Sequence, residues 1–257
     1  MIPRALLLLS ILLIAMVPAS SFASYTVAYL NTTVTLNTNS SAQVTEVLTV
    51  RVTGNTSVSQ YETDRLALNL TLSSWQRLIG PMLVQHIINP GASVYGFKFL
   101  PGPLIRNADG GIAYLVMTYY ANNVTYVNQT APRTYVYTFN PKVFNFEHGA
   151  SGEFLPQNTT LEMVLPSGAT IKSVYPVPDA PAGAITNGYA NVTQLMWFAG
   201  EPLSKFTLVF ETHQSLSSEV AQFFGAIYTA FGLFAYVLIA LIVVGIIIYT
   251  YFRASSK

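Results

Sequence analysis

A run of 30 residues without one charged side chain, Phe223 to Phe252, constrains this chain more than any other feature of its sequence. As an α-helix it would reach about 45 Å, whereas the hydrocarbon core of a bilayer is about 30 Å thick. Arg253 and Lys257 follow the run directly, which favours a cytoplasmic C-terminus. The sequence therefore predicts a transmembrane helix over 223–252, a short tether over 213–222 and a cytoplasmic tail over 253–257.

A second apolar block lies at the other end of the chain. Residues 1–23 combine Arg4 with an apolar stretch, and Ser21 and Ala23 are small residues suited to the −3 and −1 positions of a cleavage site. We expect a secretory signal peptide over 1–23 and a mature protein that begins near Ser24. An uncleaved N-terminal anchor is the alternative, although the apolar stretch is short for a span.

Between these blocks the chain carries eight Asn-x-Ser/Thr triplets, the acceptor motif for N-glycosylation. Chance would supply about two or three such motifs in a chain this rich in Ser and Thr. None of the eight lies in either apolar block. We therefore expect a glycosylated extracellular domain over 24–212. The candidate acceptors are Asn31, Asn39, Asn55, Asn69, Asn123, Asn128, Asn158 and Asn191.

The composition excludes several classes of protein. The chain has no cysteine, 9% charged residues and a formal net charge of +1. This charge gives no basic surface for nucleic acid. Without cysteine there is no disulfide, no thiolate metal site and no thiol catalysis. The exposed domain must be stabilised by its core alone, which is more typical of an archaeal cell surface than of a eukaryotic one.

Alternation of apolar and polar residues predicts that the exposed domain is mainly β. Residues 25–36 and 42–53 flank a polar turn and are expected to form a hairpin. Residues 65–72 alternate in the same way, which makes them a predicted strand with its leucines inward. Asn69 then lies on the outward face of that strand, where a glycan has room.

The later part of the domain reads as a series of short strands. The segment 112–120 is apolar on both faces and is expected to be central in its sheet. The number of strands favours a β-sandwich, either as one domain or as two β-domains divided near residue 90. The predicted strands cover 93–100, 112–120, 124–128, 133–140, 159–165, 170–175, 191–198 and 204–211.

One segment of the exposed domain has a clear helical signal. Apolar residues between Trp75 and Ile87 recur at helical spacing, which predicts a short amphipathic helix. Ser73 and Gln76 fit a capping box at its start. Pro81 is expected to kink or restart the helix, because its ring cannot fit quietly inside one.

Three short stretches resemble surface proteins. The strand "VTEVLTVRV" (44–52) is similar to the N-terminal exposed domain of uncharacterised predicted membrane proteins. The stretches "LPSGATIKSVYP" (165–176) and "WFAGEPLSKFTLVF" (197–210) resemble membrane-proximal β-domains of archaeal-type single-pass surface proteins. The resemblance implies an exposed β-rich fold and assigns no chemistry to any residue.

Residue types that carry catalysis or bind metals are few and scattered. His86, His148 and His213 have no neighbours at metal-ligand spacing. Glu147 adjoins His148, but in a strand consecutive side chains face opposite sides and could not bind one metal ion together. We therefore expect no metal site at these residues and interpret them as part of a solvated loop. No phosphate-binding or dinucleotide-binding motif is present. We therefore expect no catalytic residue, no cofactor and no metal.

Glu46 is a charged residue on the predicted inward face of a strand. Its phase in the 42–53 strand places it on the inward face, and a buried carboxylate needs a partner. An edge position, or an ion pair with Arg51 or Arg65, is the expected explanation. A functional carboxylate is the alternative.

Two sets of side chains are candidates for contacts. The segment 114–154 is rich in aromatic residues, which are expected to pack in the core and across strands rather than on a sugar or partner. Small residues recur along one side of the predicted span and would allow another helix to approach. The aromatic residues include Tyr119, Tyr120, Tyr126, Tyr135, Tyr137 and Phe139, and the small residues are Ala221, Gly225, Thr229 and Gly232.

The sequence as a whole predicts a non-enzymatic single-pass glycoprotein of the cell surface, with an envelope, adhesion or surface-interaction role. Its expected partners are the membrane and other membrane or surface proteins, contacted through the span or the exposed domain, and not nucleic acid. An accessory subunit of a multi-protein membrane complex is the alternative. An exported hydrolase is the third hypothesis.

Overall fold

A computed structural model describes residues 24–67, 71–88, 93–150, 152–181, 192–232 and 234–255. Four sequence predictions lie outside these ranges: the signal peptide over 1–23, the glycan acceptors Asn69 and Asn191, and the end of the tail over 256–257.

The described residues form strands, helices and one 3₁₀ turn at Pro141–Val143. The helices are α1 (Asn55–Leu66), α2 (Leu72–Ile79), α3 (Leu216–Phe231) and α4 (Phe234–Ser255). The strands are β1 (Ser24–Leu36), β2 (Ala42–Thr53), β3 (Val94–Pro101), β4 (Ile105–Asn107), β5 (Gly110–Ala121), β6 (Thr125–Ala131), β7 (Thr134–Phe139), β8 (Glu147–Gly149), β9 (Gly152–Phe154), β10 (Thr159–Val164), β11 (Thr170–Tyr175), β12 (Gln194–Trp197) and β13 (Thr207–His213).

The chain is mainly β, as the sequence predicts, and its strands form several sheets. The largest sheet has the order β12-β10-β1-β2-β5-β3, and β4 also pairs with β5. All of its neighbours are antiparallel except β1 and β10, which are parallel. A four-stranded sheet has the order β11-β13-β7-β6, and β8 and β9 form a small hairpin.

The predicted hairpin of residues 25–36 and 42–53 is confirmed by β1 and β2. The central position of segment 112–120 is also confirmed, since β5 pairs with β2 on one side and with β3 and β4 on the other. The pairing of β2 with β5 joins residues from both sides of position 90 in one sheet.

A single hydrophobic cluster contains the inward residues of both large sheets. In the largest sheet, Val44 and Leu48 of β2 are fully buried. Trp197 of β12 packs its ring edge-on against Phe206, with centroids 5.0 Å apart, and Phe206 also contacts Phe139 of the four-stranded sheet. The two sheets therefore share one core.

Helices α1 and α2 cover one end of the largest sheet. Trp75 of α2 is almost fully buried, and its ring lies edge-on between Tyr61 of α1 and Phe99 of β3. The first part of the predicted amphipathic helix is confirmed as α2, which ends at Ile79 with Gly80 as its C-cap. The helix does not restart after Pro81, because residues 81–88 form turns and a bridge rather than a helix. The predicted capping box is wrong, because Thr71 occupies the N-cap and Gln76 instead donates its amide hydrogen to the Leu83 carbonyl at 2.8 Å.

The strand predicted over 65–72 is wrong. Residues 65 and 66 close α1, residue 72 opens α2, and Leu66 is 68% exposed rather than inward. Sequence reasoning missed α1 because the helix buries only Ser57, Val58 and Tyr61. So few apolar residues give little helical periodicity. Residues 68–70 of the predicted strand lie outside the described residues.

The C-terminal part of the chain is helical but not as one helix over 223–252. Helix α3 ends at Phe231, and α4 begins at Phe234. Between them Gly232 adopts a left-handed φ of 56° while its N–H donates to the Tyr228 carbonyl at 2.7 Å, as in a helix C-cap. No helix in the described ranges combines the length and the apolarity that a bilayer crossing requires.

Candidate functional site

The candidate site begins with Glu46, a carboxylate in the middle of the largest sheet. Glu46 belongs to the inward row of β2 and is 0% exposed. Its strand neighbours in the pairing register are Thr32 of β1 and Met117 of β5, both also buried. A carboxylate in such surroundings is costly unless hydrogen-bond donors satisfy its oxygens.

Three donors converge on the Glu46 carboxylate. The backbone N–H of His86 donates to Oε1 at 2.8 Å, and the His86 ring nitrogen Nδ1 lies 2.7 Å from Oε2. The hydroxyl of Tyr119 donates to Oε1 as well. Glu46, His86 and Tyr119, called the Glu46 triad below, thus form a closed set of charge-assisted hydrogen bonds.

The segment after α2 is shaped to bring His86 over the sheet. Gly80 ends the helix with a φ of 113°, and Pro81 prevents its continuation. Leu83 and Ile87 are fully buried and fix the segment on both sides of His86. The backbone N–H of His86, free of any helix, can therefore point at Glu46.

Tyr119 connects the same segment to β5 by a second bond. Its hydroxyl oxygen accepts the Ile87 N–H at 3.1 Å while its proton goes to Glu46. Burial raises the pKa of the Tyr119 phenol well above its ordinary value, and the nearby Glu46 charge acts in the same direction. The phenol therefore stays protonated and remains a donor.

The small hairpin β8–β9 packs on the outer side of His86. The Phe146 ring stacks on the imidazole with centroids 4.9 Å apart, and the Asn145 N–H donates to the His86 carbonyl at 2.8 Å. Glu153 accepts the Phe146 N–H at 2.5 Å, and burial raises the pKa of the Glu153 carboxyl. His86 thus joins the sheet, the segment after α2 and the hairpin.

The expected partners of Glu46 are wrong. Arg51 is exposed, and its strand phase is opposite to that of Glu46. Arg65 forms an ion pair with Glu62 of the same helix, at 2.7 Å. The sequence did show Glu46 with an inward phase on its strand, and Tyr119 among the aromatic residues expected to pack in the core or across strands. No sequence signal connected His86 to them, because the contact spans 40 residues and depends on the turn after α2.

The other two histidines lie apart from the triad. His148 is in β8, opposite Glu153 in the pairing register, so the loop expected there is a short hairpin. His213 ends β13, where its Nε2 lies 3.5 Å from Glu211 and its Nδ1 lies 3.2 Å from the Thr134 hydroxyl. Among the described residues no three His, Asp or Glu side chains converge on a position for a metal ion.

Most of the described glycan acceptors are accessible. Five of the six are exposed: Asn39, Asn55, Asn123, Asn128 and Asn158. Asn39 lies in the β1–β2 turn, where its side-chain oxygen accepts bonds from the N–H and hydroxyl of Ser41, the third residue of its own motif. This arrangement is an Asx turn.

Asn31 differs from the other acceptors. It lies within β1 between Val47 of β2 and Thr160 of β10, and its Oδ1 is buried without a hydrogen-bond partner among the described residues. A glycan on Asn31 would have to displace the side chains that close over this amide.

The aromatic and small-residue candidates divide between buried and exposed positions. Tyr119, Tyr137 and Phe139 belong to the core, whereas Tyr120 and Tyr126 are 39% and 61% exposed. Tyr135 lies between these extremes.

Ala221, Gly225 and Thr229 fall on α3 at spacings of four, and the Thr229 hydroxyl donates to the Gly225 carbonyl at 2.9 Å. Gly232 lies beyond the end of α3, where its left-handed φ explains the glycine without a helix contact. Helix packing through this set stays a prediction.

No protein-family model matches this chain, and no curated protein matches it. The proposal on function therefore rests on the sequence and the geometry of this chain.

Proposed function

We propose that this protein is a non-enzymatic, single-pass glycoprotein of the cell surface with a β-sandwich ectodomain. One observation carries the proposal: eight glycan acceptor motifs fall only between two apolar terminal blocks, and five of the six described acceptors are exposed. Chance would supply about two or three such motifs in a chain of this composition, and eight are present. The membrane anchor in this proposal rests on the uncharged run of residues 223–252.

The Glu46 triad supports a structural role for the buried polar groups. Glu46 and Tyr119 are engaged in hydrogen bonds that hold the segment after α2 on the sheet. In a domain without cysteine, such a network can fix one arrangement of a loop that a disulfide would otherwise hold. The ectodomain then offers a rigid surface for envelope or adhesion contacts.

Peptide mapping of the native glycoprotein tests the proposal. We expect modification at several of the exposed acceptors, among them Asn128 on the edge strand β6. Asn31 is the internal comparison: it is half-buried within β1 and its Oδ1 is enclosed, so we expect its peptide to be recovered bare. Recovery of every described acceptor peptide unmodified would contradict the proposal, and modification of Asn31 alone would contradict the geometry.

An exported hydrolase is the second candidate, because a carboxylate that holds Nδ1 of a histidine is half of a catalytic arrangement. A hydrolase of this kind also needs a nucleophile near the other ring nitrogen. No Ser or Thr is among the described residues that line the cavity at His86. Labelling with a fluorophosphonate distinguishes the candidates: the surface-glycoprotein proposal expects no covalent adduct, and a stoichiometric adduct lost in His86→Ala would favour the hydrolase.

A further inference from the structure

A cavity of about 320 Å³ opens beside His86, between the segment after α2 and strand β8. Its walls are largely apolar, and two ionisable side chains, His86 and Glu147, also reach it. This volume is at the small end of the range for ligand pockets, so it suits a molecule of only a few heavy atoms. The apolar walls include Pro81, Met82, Val84 and Pro156.

His86 presents one unused polar atom to this cavity. The residue is 4% exposed, and its Nδ1 is fixed against Glu46. The opposite ring nitrogen, Nε2, makes no hydrogen bond to any residue in the described ranges. In the tautomer whose Nδ1–H donates to the Glu46 carboxylate, Nε2 carries a lone pair and acts as an acceptor.

The charges around the cavity favour a cation over an anion. Glu147 lines the cavity and Glu46 holds Nδ1 of the imidazole. Glu153 accepts the N–H of Phe146, whose ring stacks on His86. His148, opposite Glu153, is the one basic side chain that the hairpin places nearby. Acidic groups that outnumber basic ones disfavour a carboxylate or phosphate and attract an ammonium group.

We propose that this cavity is a binding site for a small aliphatic primary amine in its ammonium form. The ammonium group donates to Nε2 of His86 and to the Glu147 carboxylate, while the alkyl chain packs on Pro81, Met82 and Pro156. Alcohols of the same length gain only the hydrogen bond to Nε2, and carboxylic acids are repelled by Glu147. This proposal is independent of the membrane anchor and of the glycans.

Nuclear magnetic resonance with ¹⁵N-labelled histidine tests the site on the full chain in detergent, since only three histidines contribute signals. n-Butylammonium should move the His86 signals in a saturable way and leave His213 unchanged. n-Butanol should bind at least about tenfold more weakly, and butyrate should produce no saturable shift. Glu147→Gln should weaken the amine about tenfold, whereas Glu201→Gln, at a half-buried carboxylate outside the cavity lining, should not.

Each other result would overturn the proposal. A His86 signal that does not respond to the amine means that the cavity is not a site. Equal responses to amine, alcohol and acid mean that the ligand class is wrong. An unchanged affinity of the Glu147→Gln variant for the amine means that the Glu147 carboxylate does not bind the ammonium group. Glu147 is exposed, so this variant should fold, and buried Trp75 and Trp197 report folding by fluorescence.

Discussion

Removing the Tyr119 hydroxyl is the sharpest test of how the buried triad stabilises the domain. Tyr119→Phe keeps the ring in the core and deletes one oxygen. That oxygen donates to the Glu46 carboxylate and accepts the Ile87 N–H at 3.1 Å. A hydrogen bond to a charged group contributes about 1.5–3 kcal/mol, and a buried N–H left unsatisfied costs about 1–3 kcal/mol.

The two effects share one atom, so their sum overstates the loss. We expect the free energy of unfolding to fall by about 2–4 kcal/mol, which is a fall of roughly 5–15 °C in Tm for a chain of this size. Urea titration followed by tryptophan fluorescence measures this loss, because both tryptophans are buried in the core. Tyr120→Phe is the matched control: Tyr120 is the next residue, is 39% exposed and should change stability by less than about 0.5 kcal/mol. Equal losses for the two variants would refute the structural role assigned to the triad.

Substitutions at two glycines and at two carboxylates test the fold and its electrostatics. Gly110→Ala should lower the free energy of unfolding far more than Gly168→Ala. Gly110 has a φ of 151°, and an added Cβ would lie 2.0 Å from a backbone oxygen of β2, whereas Gly168 has a φ of 75° with no atom within 4 Å, so only backbone strain opposes its substitution. Similar urea midpoints for the two variants would contradict the close contact. Burial raises the pKa of the Glu153 carboxyl above its ordinary value. The folded state therefore loses stability as pH rises through that raised pKa and Glu153 ionises. Glu153→Gln should be more stable than the parent near pH 7 but not near pH 4. Glu211→Gln should behave in the opposite sense, since Lys172 lowers the pKa of Glu211 and that stabilisation is lost as pH falls; parallel pH profiles for both variants would be the contrary result.

The strands of the domain could be predicted from the sequence, because apolar and polar residues alternate along any strand that buries one face. Strand β2 alternates buried and open positions along its length, and its pairing with β1 follows from a short polar turn. Helix α2 was accessible for the same reason, since Trp75 and Ile79 lie on one face. Helix α1 was not, because it meets the sheet through only a few buried side chains.

Only part of the candidate site could be predicted from the sequence. The inward phase of Glu46 was visible, and it correctly raised the question of a partner. The partner itself could not be predicted, because the backbone N–H and the imidazole of His86 reach Glu46 only through the turn after Gly80. An arginine is the usual partner to expect for a carboxylate, yet both nearby arginines face other directions. Contacts of this range come from topology, which residue spacing alone does not encode.

The orientation of the chain across a membrane is the central claim, and the absence of cysteine makes it directly measurable. Ser59→Cys places a single thiol on the exposed side of α1, and Ser255→Cys places one at the last residue of α4. In intact cells a membrane-impermeant maleimide should label the Ser59→Cys protein, and it should label the Ser255→Cys protein only after the cells are lysed. Labelling of Ser255→Cys in intact cells, or protection of Ser59→Cys until lysis, would contradict an exported ectodomain with a cytoplasmic C-terminus.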